Sequence, residues 1–152
     1  MTLLIRPVAE TPHLPTIAAW LHAQWWAAGG YSLEATEAFL RRATGPAAPC
    51  ALVAEQDGIP LGTATFDTDD LPSRPDLAPW LASVLVTPEA RRQGVATALV
   101  RAVEGLAAAQ GVRRLWLFTP DQAPFYAARG WVRSGEEQYR GSPVVLMHRD
   151  LG

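Results

Sequence analysis

The stretch from Val84 to Thr97 leaves few options for the fold around it. Val84-Leu85-Val86 ends an apolar run that begins at Trp80, and Thr87-Pro88-Glu89-Ala90 breaks that run. Arg91-Arg92-Gln93-Gly94 then turns the chain, after which Val95, Leu99, Val103 and Leu106 recur at helical spacing. Gly111 follows this stripe, and Arg114-Leu115-Trp116-Leu117-Phe118 reads as a new strand. Strand, helix and strand in this order form a βαβ unit, whose two strands lie parallel in one sheet. The first of them is apolar along nearly its whole length, which predicts a central strand covered on both faces.

The first junction of this unit has a chemical consequence. Gly94 permits a tight turn, and the first amides of the following helix lack intrahelical acceptors. Several N–H donors and the positive end of the helix dipole therefore converge on one small region, which suits an anion such as a pyrophosphate. Arg91 and Arg92 add charge, and a guanidinium can grip two phosphate oxygens at once. The alternative for both arginines is a solvated surface turn.

Composition narrows the choice of partner. At 152 residues the chain is read as a single domain over 1–152, long enough to bury its own core. The net charge of −2 gives no basic field, so no nucleic-acid partner is expected. The chain has neither Lys nor Asn, so a Walker-type phosphate loop is ruled out. Its one cysteine, Cys50, allows no intramolecular disulfide and is expected to be buried in a strand rather than reactive. His13, His22 and His148 show no metal-ligand spacing, and no metal is expected. No segment approaches the roughly 20 apolar residues of a membrane span and the N-terminus lacks a signal-peptide core, which predicts a cytoplasmic protein with no membrane partner.

The remaining elements follow from periodicity. Leu3–Val8 reads as a first strand. A helix is expected from His13 to Ala28, with Gly29-Gly30 as its stop, and a second helix begins at Ser32 and ends before Gly45-Pro46. Two strands flank Gln56-Asp57-Gly58 as a hairpin, and an acidic, proline-containing loop leads from Asp67 to Pro79. After the βαβ unit come a short helix around Ala123 to Arg129 and strand candidates near Trp131–Arg133 and Val144–Met147. The whole is one α/β domain.

With these elements placed, the Arg91-Arg92-Gln93-Gly94-Val95-Ala96 corner resembles the acyl-CoA-binding motif of the Gcn5-related N-acetyltransferase (GNAT) family. That motif reads Arg or Gln, two residues, Gly, one residue, then Gly or Ala, and Arg91, Gly94 and Ala96 match it. Phe125-Tyr126-Ala127-Ala128-Arg129-Gly130-Trp131 resembles the family's later signature of Tyr, three residues, Gly and an aromatic. The resemblance covers most of the chain and implies a GNAT fold, a mixed central sheet of about six to seven strands flanked by about four helices.

It also implies roles. Acetyl-CoA is the expected co-substrate, its pantetheine arm bonded by the main chain of Val84, Leu85 and Val86. Its pyrophosphate would be held by Arg91, Arg92, Gln93, Gly94, Val95, Ala96 and Thr97. Tyr126 is placed as the acid that protonates the departing thiolate; the bland alternative is an amphipathic core aromatic. The oxyanion donor is a main-chain N–H around Val86. Many relatives carry a Glu where Phe118 stands and an Asn where Thr119 stands, so this chain departs from the pattern at the base. Asp67, Asp69, Asp70 and Ser83 acting through water remain candidates, as does having no dedicated base.

The acceptor side is read from the acidic loop and the end of the first helix. Asp67, Asp69, Asp70 and Asp76 would make an acidic mouth or a solvated loop. Trp26 and Tyr31 are cleft candidates that could hold a cation or an apolar group, Trp25 is assigned to the core, and Trp80 lies between the two readings. Together with Asp67 and Ser83, Trp26 and Tyr31 form the expected substrate-binding set. The function read from all this is direct transfer of an acetyl group to a primary amine of a small, cationic acceptor. The alternatives are acetylation of a protein or peptide, a non-catalytic acyl-CoA sensor, and a regulator holding another phosphate ligand. Homodimerisation through the late strands is left open.

Overall fold

The computed structural model describes residues 2–152. Seven strands form one open sheet in the order β1-β2-β3-β4-β5-β7-β6, where β1 is Leu4–Pro7, β2 Cys50–Gln56, β3 Ile59–Asp67, β4 Trp80–Val86, β5 Arg114–Thr119, β6 Val132–Tyr139 and β7 Ser142–Asp150. Four helices accompany it: α1 Leu14–Leu21, α2 Leu33–Arg42, α3 Val95–Ala109 and α4 Ala123–Ala127. Every pairing is antiparallel except β4 with β5, the crossover that the βαβ pattern predicts. The seven strands and four helices match the architecture read from sequence.

The local chemistry behind the elements is as expected at most points. The Ser32 hydroxyl caps α2 by accepting the Ala35 N–H at 3.0 Å. Asp57 and Gly58, with φ of +53° and +78°, close the β2–β3 hairpin in the left-handed conformation that Asp-Gly tolerates. The first helix differs. It stops at Leu21 and runs on through a π-type turn over His22–Trp26, in which the Ala27 N–H reaches the His22 carbonyl at 2.9 Å. The late hairpin is longer than the alternation suggests, because β6 is an exposed polar edge strand. It turns on Arg140 and Gly141, at φ of +51° and +80°.

Two apolar layers cover the sheet. Val95, Leu99, Val100 and Val103 of α3 pack on Leu52, Ala64, Phe66, Leu81, Leu115 and Leu117. On the opposite face Ile17, Ala18, Leu21 and Leu40 of α1 and α2 pack on Ala51 and Val53. The helices stop there, and beyond β3 that face is covered by Leu71 and Leu77 of the β3–β4 loop, packed with Trp80, Phe118, Val144 and Leu146. The boundary between helix cover and loop cover runs over the middle of the sheet.

One buried charge ties the first strand down. Glu55, 3% exposed, binds the Arg6 guanidinium and accepts from His13 Nε2 at 2.5 Å. The hydrogen bond from His13 and then that from Arg6 hold its carboxyl below the usual range. A depressed folded pKa stabilises above the ordinary carboxylate range, and that stabilisation is lost as pH falls through it. Thermal melts of Glu55→Gln should therefore show a deficit near neutral pH that shrinks toward about pH 4. An equal deficit at both pH values would mean that packing, not charge, explains the residue.

Candidate active site

β4 and β5 run parallel, and their register holds one pair, Trp80 opposite Trp116, beside the Trp116 N–H to Pro79 carbonyl bond at 3.1 Å. Past that point the strands part. Burial follows the separation: Trp80, Leu81 and Ala82 are buried, whereas Ser83, Val84, Leu85 and Val86 are half-buried. At the same place β4 bulges. Its register on β3 moves from Ala82 opposite Thr65 to Leu85 opposite Thr63, with Ser83 in the left-handed region at φ +56°. A bulge re-aims the main chain and bends the strand away from its neighbour. On the side that β5 has left, the main-chain groups of β4 have no strand partner and are free to bond an extended, amide-containing molecule.

The end of β4 leads straight into the arginine-glycine corner. Pro88–Ala90 forms one 3-10 turn, Arg91 is extended, and Arg92 and Gly94 are left-handed at φ +66° and +80°. Gly94 is the N-cap of α3 with no side-chain cap, and the Ala98 N–H makes the bond to the Gly94 carbonyl at 3.0 Å. The amides of Val95, Ala96 and Thr97 therefore have no acceptor within the helix. Nothing lies within 4 Å of where a Gly94 side chain would begin, so the turn opens outward. Arg91 and Arg92 are exposed, while the Gln93 side chain folds back to donate to the Glu89 carbonyl at 3.0 Å. Gly62 lets α3 sit close to the sheet here: a β-carbon on it would come within 3.0 Å of both the Leu85 carbonyl and Leu99.

Tyr126 lies on α4, which follows β5 on the far side of the opening. It is 8% exposed, packed edge-on against Phe125 and Trp131 at centroid distances of 5.1 and 6.1 Å. Burial pushes its phenol up to about 12. The hydroxyl is thus protonated across the neutral range, the state a proton donor needs. The ring is part of the core, and its protonated hydroxyl is compatible with the acid role that the family resemblance implies.

Across the sheet from α3, the acidic loop begins on β3. Asp67 pairs with Trp80 in register and accepts the Thr68 N–H at 2.8 Å. Burial, more than any neighbouring charge, raises its carboxyl. Asp70 is half-buried and pushed up to about 8, first by burial and then by Asp67 and Asp69. Asp69 is exposed, and Asp76 is paired with Arg74 at 2.9 Å. The candidates therefore separate: Asp67 and Asp70 share a desolvated site, and Asp76 does not join them.

Aromatic rings meet this acidic pair. Phe118 stacks on Tyr139 at 4.8 Å and meets Trp80 edge-on at 6.3 Å. Trp80 is fully buried with its indole N–H on the Leu77 carbonyl, which decides for core over cleft wall. Burial raises the Tyr139 phenol; Arg140 pulls against that rise, while Asp70 and Tyr31 are close enough to add to it. Tyr31 is 57% exposed and touches Trp26 at 5.1 Å. Trp26 is half-buried against Phe39, and Trp25 is also half-buried against the helical core. Arg140 at the tip of the β6–β7 hairpin donates to the Trp25 carbonyl at 2.9 Å. That bond brings the last hairpin to the π-type turn.

A family model described as acetyltransferase (GNAT) matches residues 14–131. The chain belongs to the GNAT acetyltransferase family. Among curated proteins none matches its sequence. Solved structures share the fold of this acetyltransferase at low identity. A GNAT acetyltransferase from Streptococcus pneumoniae aligns with a TM-score of 0.72 at 20% identity, over 99% of this chain and 100% of that one. An aminoglycoside 6'-N-acetyltransferase complexed with coenzyme A aligns at 0.76 with 14% identity, over 100% and 98%. N-acetylglutamate synthase from Neisseria gonorrhoeae, complexed with coenzyme A and N-acetyl-glutamate, aligns at 0.70 with 20% identity, over 100% of this chain and 36% of that chain.

The family uses acetyl-CoA, and among the described residues no group of three or more His, Cys, Asp or Glu could hold a metal ion. No described helix is long and apolar enough to cross a membrane. Tyr139 and Arg140 are site neighbours that the sequence reading of this acetyltransferase missed. Their strand is polar and at the sheet edge, and only the order β5-β7-β6 brings its end to Phe118. The Arg-Gly pair at 140–141 was the available signal.

Proposed function

We propose that this acetyltransferase moves the acetyl group of acetyl-CoA directly to a primary amine of a small, cationic acceptor. The observation that carries the reading is the opening between β4 and β5, which continues into the uncapped end of α3. The free main chain of Val84, Leu85 and Val86 suits the pantetheine amides. The amides of Val95, Ala96 and Thr97, with Arg91, Arg92 and the main chain of Gln93 and Gly94, suit the pyrophosphate. Converting Arg91 and Arg92 together to alanine should weaken CoA binding about tenfold in low salt and less in high salt, measured by calorimetry. Affinity unchanged at low salt would remove both from the site.

When bound, acetyl-CoA supplies an activated acyl carbon that a neutral amine can attack. A main-chain N–H near Val86 polarises the carbonyl, and the Tyr126 hydroxyl gives its proton to the departing sulfur as the new C–N bond forms and the C–S bond breaks; the proton that the nitrogen then sheds as the amide forms returns to the Tyr126 oxygen through water. The acceptor arrives as an ammonium, which Asp67 attracts, joined by Asp70 once that carboxyl ionises toward alkaline pH, and which Tyr31, Tyr139 and Phe118 can face. Asp70 takes the ammonium proton in its ionised form, directly or through water, with Ser83 at the bulge as a polar neighbour of the opening. Phe118 leaves no carboxylate on β5, so the loop is the source of the base.

A small cationic amine suits the acidic loop and the exposed Tyr31 ring, with Arg140 tied to the Trp25 carbonyl nearby. The test is CoA thiol release with acetyl-CoA across polyamines, aminoglycosides, amino acids and peptides. Turnover with cationic small amines is expected. Turnover with peptides alone would favour protein acetylation, and CoA binding without turnover across the panel would favour a sensor.

A further inference from the structure

Arg129, just past the end of α4, joins the two halves of the proposed machinery. Its Nε donates to the Thr97 hydroxyl at 2.8 Å in the first turn of α3, and its Nη1 donates to the Phe125 carbonyl at 2.8 Å within α4. The guanidinium also lies over the Phe125 ring, 3.7 Å from its centroid. No carboxylate pairs with Arg129 among the described residues, so both of its side-chain acceptors are neutral groups.

The main chain of Arg129 is held as firmly. Its carbonyl accepts Nη1 of Arg149 at 2.6 Å and Nη1 of Arg101 at 3.2 Å. Glu104 binds both of those arginines, at 2.8 Å to Arg101 and 3.5 Å to Arg149, and accepts the Trp131 indole N–H at 3.0 Å. Trp131 in turn packs on Tyr126 and donates its main-chain N–H to the Tyr126 carbonyl at 3.1 Å. Phe125 on one side and Trp131 on the other are thus the two ring neighbours of Tyr126, and Arg129 or the groups that grip it hold both.

Helix α4 needs such help. It has five residues and no side-chain N-cap, too little to fix its own axis or rotation. A rotation by one residue would swing the phenol around the helix by about 100°. We propose that Arg129, through its fork between Thr97 and Phe125, is a positioning residue that fixes the Tyr126 hydroxyl relative to the first turn of α3. The proposal rests on the reading above, in which that turn holds the pyrophosphate and Tyr126 protonates the thiolate. The distance from phosphate site to proton donor is then set by one planar, two-pronged side chain. Lysine cannot replace it, because an ammonium on a flexible stem offers neither fixed fork nor stacking plane.

Steady-state kinetics and CoA calorimetry on Arg129→Lys, Thr97→Val, Tyr126→Phe and the double variants test this. Thr97→Val removes the acceptor hydroxyl while leaving Arg129 and the α3 amides in place, so it guards against an Arg129 variant that does not fold. Arg129→Lys and Thr97→Val should each lose kcat by about tenfold or more while CoA affinity stays within about twofold, the pattern of a misplaced group rather than a lost ligand. In a Tyr126→Phe background neither should cause further loss, because the group they position is gone. CoA affinity falling in step with activity in Arg129→Lys would make Arg129 a phosphate ligand and overturn the proposal. So would losses that add to that of Tyr126→Phe, which would mark a general structural role. If Tyr126→Phe alone leaves kcat intact, the acid assignment fails and the proposal with it. If Tyr126→Phe is impaired while Arg129→Lys and Thr97→Val are not, this proposal alone fails.

Discussion

Tyr126→Phe is expected to lower kcat by roughly a hundredfold while leaving CoA affinity within about twofold. Phenylalanine keeps the ring that packs against Phe125 and Trp131, so the core and α4 should be undisturbed. What disappears is one hydroxyl, and with it the proton for the sulfur. Because burial pushes the phenol up to about 12, the wild-type enzyme should show no loss of activity from this group between pH 7 and pH 10. Rapid-quench or thiol-release rates across that range would check both statements. An alkaline fall near pH 9 that vanishes in Tyr126→Phe would contradict the environment described for the ring.

Asp70→Asn should act in two opposed directions. With its carboxyl pushed up to about 8, Asp70 is available as a base only toward alkaline pH, so kcat/KM should rise through about that pH in the wild type. The acid limb belongs to Asp70 in the field of its neighbours, because the charges of Asp67 and Asp69 add to the effect of burial in raising its carboxyl. In Asp70→Asn the limb should flatten, and activity near pH 8.5 should fall by roughly ten- to a hundredfold. Stability should move the other way. The folded carboxyl binds its proton more tightly than the unfolded one, so stability falls as pH rises from the ordinary carboxylate range to about 8 and stays reduced above it. Removing the charge should raise the melting temperature near pH 9 and have no such benefit near pH 4. A lower melting temperature at pH 9 would show that the carboxylate is held by partners rather than strained by burial. Asp69 adds to the charge that Asp70 feels, and Tyr139 lies close enough to feel both Asp70 and Arg140, so the same pH series on Arg140→Gln is a useful companion.

These two residues also show how far the sequence reaches. Tyr126 was legible because its spacing to Gly130 and Trp131 is a local pattern on one short helix. The arginine-glycine corner was legible for the same reason: its donors belong to consecutive residues, and the turn needs Gly94 itself. The Asp-Gly hairpin and the Ser32 cap are likewise interactions across a few residues. Asp70 was one of several acidic residues in a loop, with nothing local to separate it from Asp69 or Asp76. Desolvation separates them, and desolvation depends on what the fold places over each carboxyl. The departure of β5 from β4 is equally silent in sequence, since both strands read as good apolar strands.

Sequence alone determined the order of elements, and it offered the arginine-glycine corner as a candidate anion site and Tyr126 as a candidate proton donor, because each is encoded by neighbours along the chain. The tertiary structure decided the rest. It brought Arg140 to Trp25 across 115 positions, set Tyr139 against Phe118, and desolvated the half-buried Asp70. It also used Arg129 to join α4 to Thr97. Those contacts arise between surfaces that meet only after the sheet has formed, and their energies depend on burial and geometry that no local pattern carries.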